Sequence, residues 1–330
     1  MAGLSTKTKK IGALVLLIIG FVLLPHVIPS YQLVLLESGL CFAILGLGFN
    51  LLLRYTGLLS FGHGAYFAAG AYAVGMIGRY VPELYRMEVL IPASIFFSAI
   101  LAAIFGFVCV RHTRIFFSIL TLALSMLVFA ILVKLYYVTG GSDGIRVGIP
   151  PVLGHAFKGV RRPQFLEGFY YYFLLGWVIL SVAFMYLLVR SPFGKAIQAV
   201  RDNEIRAEMI GIRVKRFRWW AFLVSGAYAG LAGGLWSFVN GHVTPELAHW
   251  VFSGEVVYMT LLGGFKSFAG PIVGAIVFTF LKLYAVSGTE YWMLIIGITL
   301  IGIVLLLPGG LVGGVMILLE RAKARVPRRS

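Results

Sequence analysis

Among long apolar stretches, a few residues could do chemistry: Glu37, Asn50, Ser60, His63, Ser125 and Glu255. A charged or hydrogen-bonding side chain is costly in lipid, so each must face protein or water. Such residues mark either structural contacts or the path of a polar solute, and for Glu37 and Glu255 both readings stand. Ser60-Phe61-Gly62-His63-Gly64 is the densest cluster. Irregular, glycine-rich backbone in an apolar setting lines a cavity or is buried in protein. A second short sequence, Ser267-Phe268-Ala269-Gly270, begins alike and follows Gly263-Gly264. Acid–base and metal chemistry find no support. The six histidines, His26, His63, His112, His155, His242 and His249, are scattered, with no metal-ligand spacing on one helix. No glycine-rich loop ends in Lys-Ser/Thr, so the chain has no P-loop for ATP. The two cysteines, Cys41 and Cys109, fall in separate apolar runs and read as packing residues.

The long charge-dense run is Ser191 to Arg218, with Lys195, Arg201, Arg206, Arg213, Lys215, Arg216 and Arg218. Ala196, Ile197, Val200, Ile205, Met209 and Ile212 recur through it at helical spacing, which predicts one or two short amphipathic helices. Gly211 stands where such a helix would stop in a left-handed conformation. The apolar stripe must dock on its own bundle, on the lipid surface, or on a soluble cytoplasmic partner. Thr139-Gly140-Gly141-Ser142-Asp143-Gly144 opens a turn-rich segment, 139–168, with little apolar surface. That segment is either a connector or a mouth that meets substrate or an external partner.

The elements that position these residues follow from composition. The 330 residues are 60% hydrophobic and 12% charged, about half the charged fraction of a soluble domain. An all-α polytopic membrane protein, one transmembrane domain over 1–330, is the class that fits. The +16 formal charge is spread between apolar runs. It therefore reads as topology signals and contacts to membrane lipid, not as a nucleic-acid surface. Lys7, Lys9 and Lys10 precede an apolar run, 11–24, with no small-x-small cleavage site after it, so it is expected to stay as a first span. Spans are expected near 11–29, 31–53, 57–78, 88–110, 115–138, 169–189 and 219–240. If 246–286 were one helix, the basic tail over 318–330 would end up outside. If the chain breaks at Gly263-Gly264, spans 246–263, 270–286 and 291–307 follow, about ten in all, with both termini cytoplasmic. The second topology places most Lys and Arg inside and is preferred. Gly226, Gly230 and Gly234, every fourth residue, should let another helix approach closely.

Taken in order, the motifs resemble those of LivM-type permeases, membrane subunits of bacterial branched-chain amino acid ABC importers. The resemblance rests on Tyr55-Thr56-Gly57-Leu58-Leu59-Ser60-Phe61-Gly62-His63-Gly64-Ala65 and on Thr139 to Gly144. It also rests on Gly194-Lys195-Ala196 through Arg201-Asp202-Asn203-Glu204 to Ala207-Glu208 and Gly211, on Leu262-Gly263-Gly264, on Gly270-Pro271 and on Pro308-Gly309-Gly310-Leu311. It implies a heterodimer with a LivH-type permease in the bacterial inner membrane, a periplasmic binding protein above, and two cytoplasmic ATPases below. ATP and magnesium would sit on those ATPases, with no cofactor in this chain. The ATPase-coupling residues would be Arg201, Glu204, Ala207, Glu208 and Gly211, although Arg206 departs from the residue usual before Ala207. The substrate would pass between the permeases, near Ser60, Phe61, Gly62, His63, Glu255, Gly263 and Gly264. Thr139, Gly140, Gly141, Asp143 and Gly144 would lie in the periplasmic loop. Permeases for urea or short amides share most of these motifs. A stand-alone secondary transporter is the reading from another class, and it would need ion coupling through Glu37 or Glu255.

Overall fold

Apolar stretches of membrane length satisfy their backbone polar groups as helix, and helix is what most of this chain forms. The structure is a computed structural model describing residues 19–324 apart from 113, 153, 156, 158 and 308. Lys7, Lys9 and Lys10, residues 11–18 of the expected first span, Pro308, and the tail residues Arg325, Arg328 and Arg329 lie outside the described residues. Helix α1, Ser30–Asn50, continues through a π-helical turn, Leu51–Thr56, that ends at Gly57 in the left-handed region, φ 73°. Helices α2 (His63–Tyr80), α3 (Met87–Cys109) and α4 (Arg114–Lys134) follow. Helical structure resumes at Arg162 and passes through a π-helical turn into α5, Tyr171–Arg190. A polar hairpin, α6 (Pro192–Asp202) and α7 (Glu204–Met209), leads to α8, Val214–Asn240. Helices α9 (Trp250–Gly263), α10 (Gly270–Gly288), α11 (Trp292–Leu306) and α12 (Gly310–Ala324) close the bundle. Among the described residues, six runs are long and apolar enough to cross a membrane: Ser30–Thr56, α3, Ile115–Lys134, Arg162–Arg190, α8 and α10.

The axis of the bundle is α8, which packs on α1, α2 and α3. Its small residues allow this. Gly226, Gly230 and Gly234 face Ala102, Ser98 and Ser94 of α3, and Gly233 lies against the Phe67 backbone of α2. The expected glycine ladder therefore serves two neighbours at once. Helices α9 and α10 cross at Gly263, Gly270 and Gly274 with backbone against backbone, so the break between them is present.

Five expectations need correction. The third span does not begin at residue 57: 57–62 is non-helical and α2 starts at His63, because left-handed Gly57 ends the preceding turn. Helix α9 has 14 residues, about 21 Å of rise against a hydrocarbon core of about 30 Å. Residues Pro245–Ala248, of which 246–248 were expected inside that span, form a 3-10 turn held by a hydrogen bond from Ser125 Oγ to the Ala248 carbonyl, 2.8 Å. Helix α8 starts at Val214 rather than 219, and α12 occupies sequence expected to be tail. Segment 139–168 does have buried apolar residues, Ile145 and Val147. Its strand β1, Ile145–Arg146, pairs antiparallel with β2, His242–Val243, and Arg162 bridges the Val147 and Phe238 carbonyls. This loop is tied down, not a loose connector.

Candidate functional site

A helix can begin in the middle of a bundle only if its first N–H groups and the incoming chain find partners. Helix α2 does so. Ser225 lies about 16 Å along α8 from Val214, near half the core thickness. His63 Nε2 is 2.7 Å from Ser225 Oγ, which is 2.7 Å from the Gly48 carbonyl oxygen. Two oxygens that close share a proton that only Ser225 can supply, so His63 donates through Nε2–H. The Gly64 N–H donates to Ser253 Oγ of α9 at 3.0 Å. The N-termini of α2 and α9 thus meet at mid-depth. The incoming segment is held by α4: Ser118 Oγ donates to the Leu59 carbonyl (2.7 Å) and the Phe61 N–H donates to Thr121 Oγ1 (3.1 Å). Ser60 Oγ accepts from the Gly62 N–H at 3.2 Å. Between this segment and α4 lies an apolar cavity of about 440 Å³. Gly57, Leu59 and Phe61 form one wall, and Ile115, Ile119 and Leu122 the other. That volume is within the range of small-molecule sites.

The expected pathway residues are only partly brought together. Phe61 lines the cavity, while Ser60 and His63 are buried behind it. Gly263 and Gly264 pack against the backbone of Gly270 and Gly309 instead. From α9, Ser253 reaches α2 by that hydrogen bond and Phe252 by its ring, 5.0 Å from the Phe67 ring. Glu255, about 200° round the helix from Ser253, points to α10. There its carboxylate meets Lys282 Nζ at 2.5 Å, and that ammonium sits 5.6 Å from the Trp292 ring centre. Lys282 was readable as a lone cation in Phe280-Leu281-Lys282-Leu283-Tyr284, but nothing local names its partner. Lys282→Met should cost about 2 kcal/mol of stability, below the usual penalty for splitting a fully buried pair because Lys282 is part-exposed. Thermal unfolding in detergent measures this, with Glu255→Gln added to Lys282→Met expected to recover most of the loss. An unchanged melting temperature in Lys282→Met would show that the pair contributes nothing.

At one end of the bundle the polar hairpin is locked in place. Ser191 and Asn203 cap α6 and α7, accepting from the Gly194 and Arg206 N–H groups at 3.3 and 2.9 Å. Val200, Ala207 and Val214 form a small core with Ile212 beside it. Arg218, buried at 6% exposure, makes a two-pronged ion pair with Glu204 at 2.9 and 2.8 Å. Arg201 donates to the Arg54 carbonyl at 2.6 Å and pairs with Asp202. Gly211, φ 86°, is left-handed as its position predicts. Glu208 is exposed. The expected single apolar stripe is split, because extended Asn203 breaks the helix between Val200 and Ile205. Ile197 and Val200 turn inward, whereas Ile205, Met209 and Ile210 stand 67%, 81% and 71% exposed.

At the opposite end, Thr139 Oγ1 donates to the Leu132 and Leu135 carbonyls at 2.5 and 2.8 Å. Gly140, Gly141 and Gly144 all have positive φ. The Asp143 carbonyl accepts from His242 Nε2 at 2.5 Å, and Gly144 packs on the Val243 backbone. The motif is a rigid turn joined to the β1–β2 ribbon. Ser118, Thr121, Ser225 and Ser253 carry no local signal that separates them from other hydroxyls in apolar helices, because their partners are distant in sequence.

Residues 33–304 match the family model described as the branched-chain amino acid transport system permease component. The chain is 28% identical over 324 residues to the high-affinity branched-chain amino acid transport system permease protein LivM of Salmonella typhimurium, covering 93% of this chain and 76% of that one. The probable LivM of Methanocaldococcus jannaschii is 25% identical over 295 residues, 78% and 81% of the two chains. The LivH permease of Escherichia coli is 22% identical over 292 residues, 83% and 92%. No solved structure matches the chain. With its helical bundle, its mid-depth junction and its capped polar hairpin, the chain belongs to the family of branched-chain amino acid transport system permease components.

Proposed function

We propose that this chain is one of two permease subunits of an importer that carries branched-chain amino acids across the bacterial inner membrane, driven by two separate cytoplasmic ATPases. The observation that carries this is the hairpin. Its α6–α7 pair is fixed to α1 and α8 by the Arg201 and Arg218 contacts, and it presents Ile205, Met209 and Ile210 outward. A rigid lever with an unpartnered apolar tip suits a docking element for a soluble motor. In this reading the chain crosses the membrane about ten times with both termini and the hairpin in the cytoplasm. ATP and magnesium bind the motor subunits alone. The β1–β2 ribbon and the Thr139–Gly144 turn face the periplasm, where a binding protein delivers the solute. The solute passes between this chain and a LivH-type partner, along the side on which the cavity at Phe61 opens.

Linkage sets the mechanism. Closure of the ATPases can drive the permeases only through unequal affinity for their conformations. The hairpin joins α5 and α8 directly and so carries that difference to both. The test is leucine uptake into vesicles holding both permeases and both ATPases, with the binding protein outside. Uptake should need ATP inside and binding protein outside. Uptake by this chain alone under an ion gradient, or uptake of urea in place of leucine, would overturn the reading.

A further inference from the structure

A cavity of about 430 Å³ opens where α8 leaves the hairpin, walled by Phe193, Gly211, Arg213, Arg216, Phe217 and Trp220. Its charged walls are both cationic. Of the nearby carboxylates, Asp202 is engaged with Arg201 and Glu204 with Arg218, while exposed Glu208 on α7 makes no ion pair with either cavity arginine. Among the described residues, neither Arg213 nor Arg216 has an ion pair. They are three residues apart at the start of α8 and so share a face. Phe193 and Phe217 stack at 5.7 Å beside them.

Trp220 decides what kind of anion fits. Its neighbour Trp219 is pinned inward, Nε1 donating to the Ala103 carbonyl at 3.1 Å. Trp220 is 43% exposed and lies about 6 Å further along α8 than Arg216, toward the apolar middle of the helix. The cavity therefore faces water through two guanidiniums and the edge of the hydrocarbon through an indole, which is the layering of a bilayer interface. A free phosphate would use the arginines alone, and a soluble protein reaches them only from the water side. We propose that this cavity holds the phosphate of an anionic phospholipid from the leaflet at the hairpin's end. The two guanidiniums contact the phosphate oxygens, and the indole lies at the level of the lipid's glycerol.

The full chain in lipid nanodiscs tests this, with phosphatidylglycerol or phosphatidylcholine carrying brominated acyl chains as quenchers. Trp220→Phe identifies the share of emission that belongs to Trp220. Brominated phosphatidylglycerol should quench that share at a lower mole fraction than brominated phosphatidylcholine. Arg213→Gln with Arg216→Gln should raise the fraction needed by roughly ten- to thirty-fold, the loss of two interfacial cations. Arg213→Lys with Arg216→Lys keeps the charges and should retain the preference, which covers the case in which the glutamine pair fails to fold. Equal quenching by the two lipids overturns the proposal. So does relief of phosphatidylglycerol quenching by inorganic phosphate, which would mark a free-anion site.

Discussion

Replacing Ile205, Met209 and Ile210 together by serine should release the ATP-binding subunits proposed to dock there, while leaving the permease folded. The three side chains are exposed by more than half on a structured, capped hairpin. They contribute little to the hairpin's own core, which is Val200, Ala207 and Val214. Their removal therefore costs the isolated chain almost nothing. At an interface each would bury a large apolar side chain, and trimming three anchors removes about 3 kcal/mol, roughly a hundredfold or more in affinity. Co-purification of ATPases with an affinity-tagged permease reads the effect, and substrate-stimulated ATP hydrolysis should fall with it. Val200→Ser is the contrasting variant: it opens the hairpin core and should lower the melting temperature first. Undiminished co-purification of the ATPases with the triple variant would place this tip against lipid and remove the observation on which the ATP-driven reading rests.

What could be read in advance, and what could not, divides by range. Hydropathy and charge are local, and they located α1, α3, α4, α5 and α10 to within a few residues of their observed ends. Gly211 was readable because a helix stop is a local event. The junction at His63 was not, since it depends on Ser225, 162 positions away, and on Ser253. A polar residue in an apolar run announces only that it has a partner. Glu255 was marked on that ground, yet Lys282 lies 27 residues further on and was found only by the antiparallel packing of α9 and α10. The same limit explains α8: the basic residues Lys215, Arg216 and Arg218 argued against a span there, and the pairing of buried Arg218 with Glu204 reversed the argument. The hairpin's apolar stripe failed for a subtler reason, because one extended residue, Asn203, resets the helical phase between Val200 and Ile205.

Gly70→Val prevents the bundle from assembling. A Cβ on Gly70 runs into the carbonyl and Cα of Gly230, and one on Gly233 runs into the Phe67 carbonyl. These obstacles are backbone, not flexible side-chain tips, so no rotamer change relieves them. The only relief is to separate α2 from α8. Separation would also pull His63 from Ser225 and unseat the start of α2, because the same two helices carry that hydrogen bond. The penalty should therefore exceed the 1–3 kcal/mol typical of core overpacking and reach about 4 kcal/mol or more. That is a large share of the total stability of a domain. Gly233→Val should behave alike. Gly176→Val makes the same chemical change in α5 with nothing within 4 Å, so it should leave the yield of monodisperse protein unchanged. Size-exclusion profiles in detergent compare the three variants. A Gly70→Val protein that elutes and melts like the Gly176→Val control would mean that α2 and α8 are not in backbone contact, and the mid-depth junction that depends on their approach would have to be abandoned.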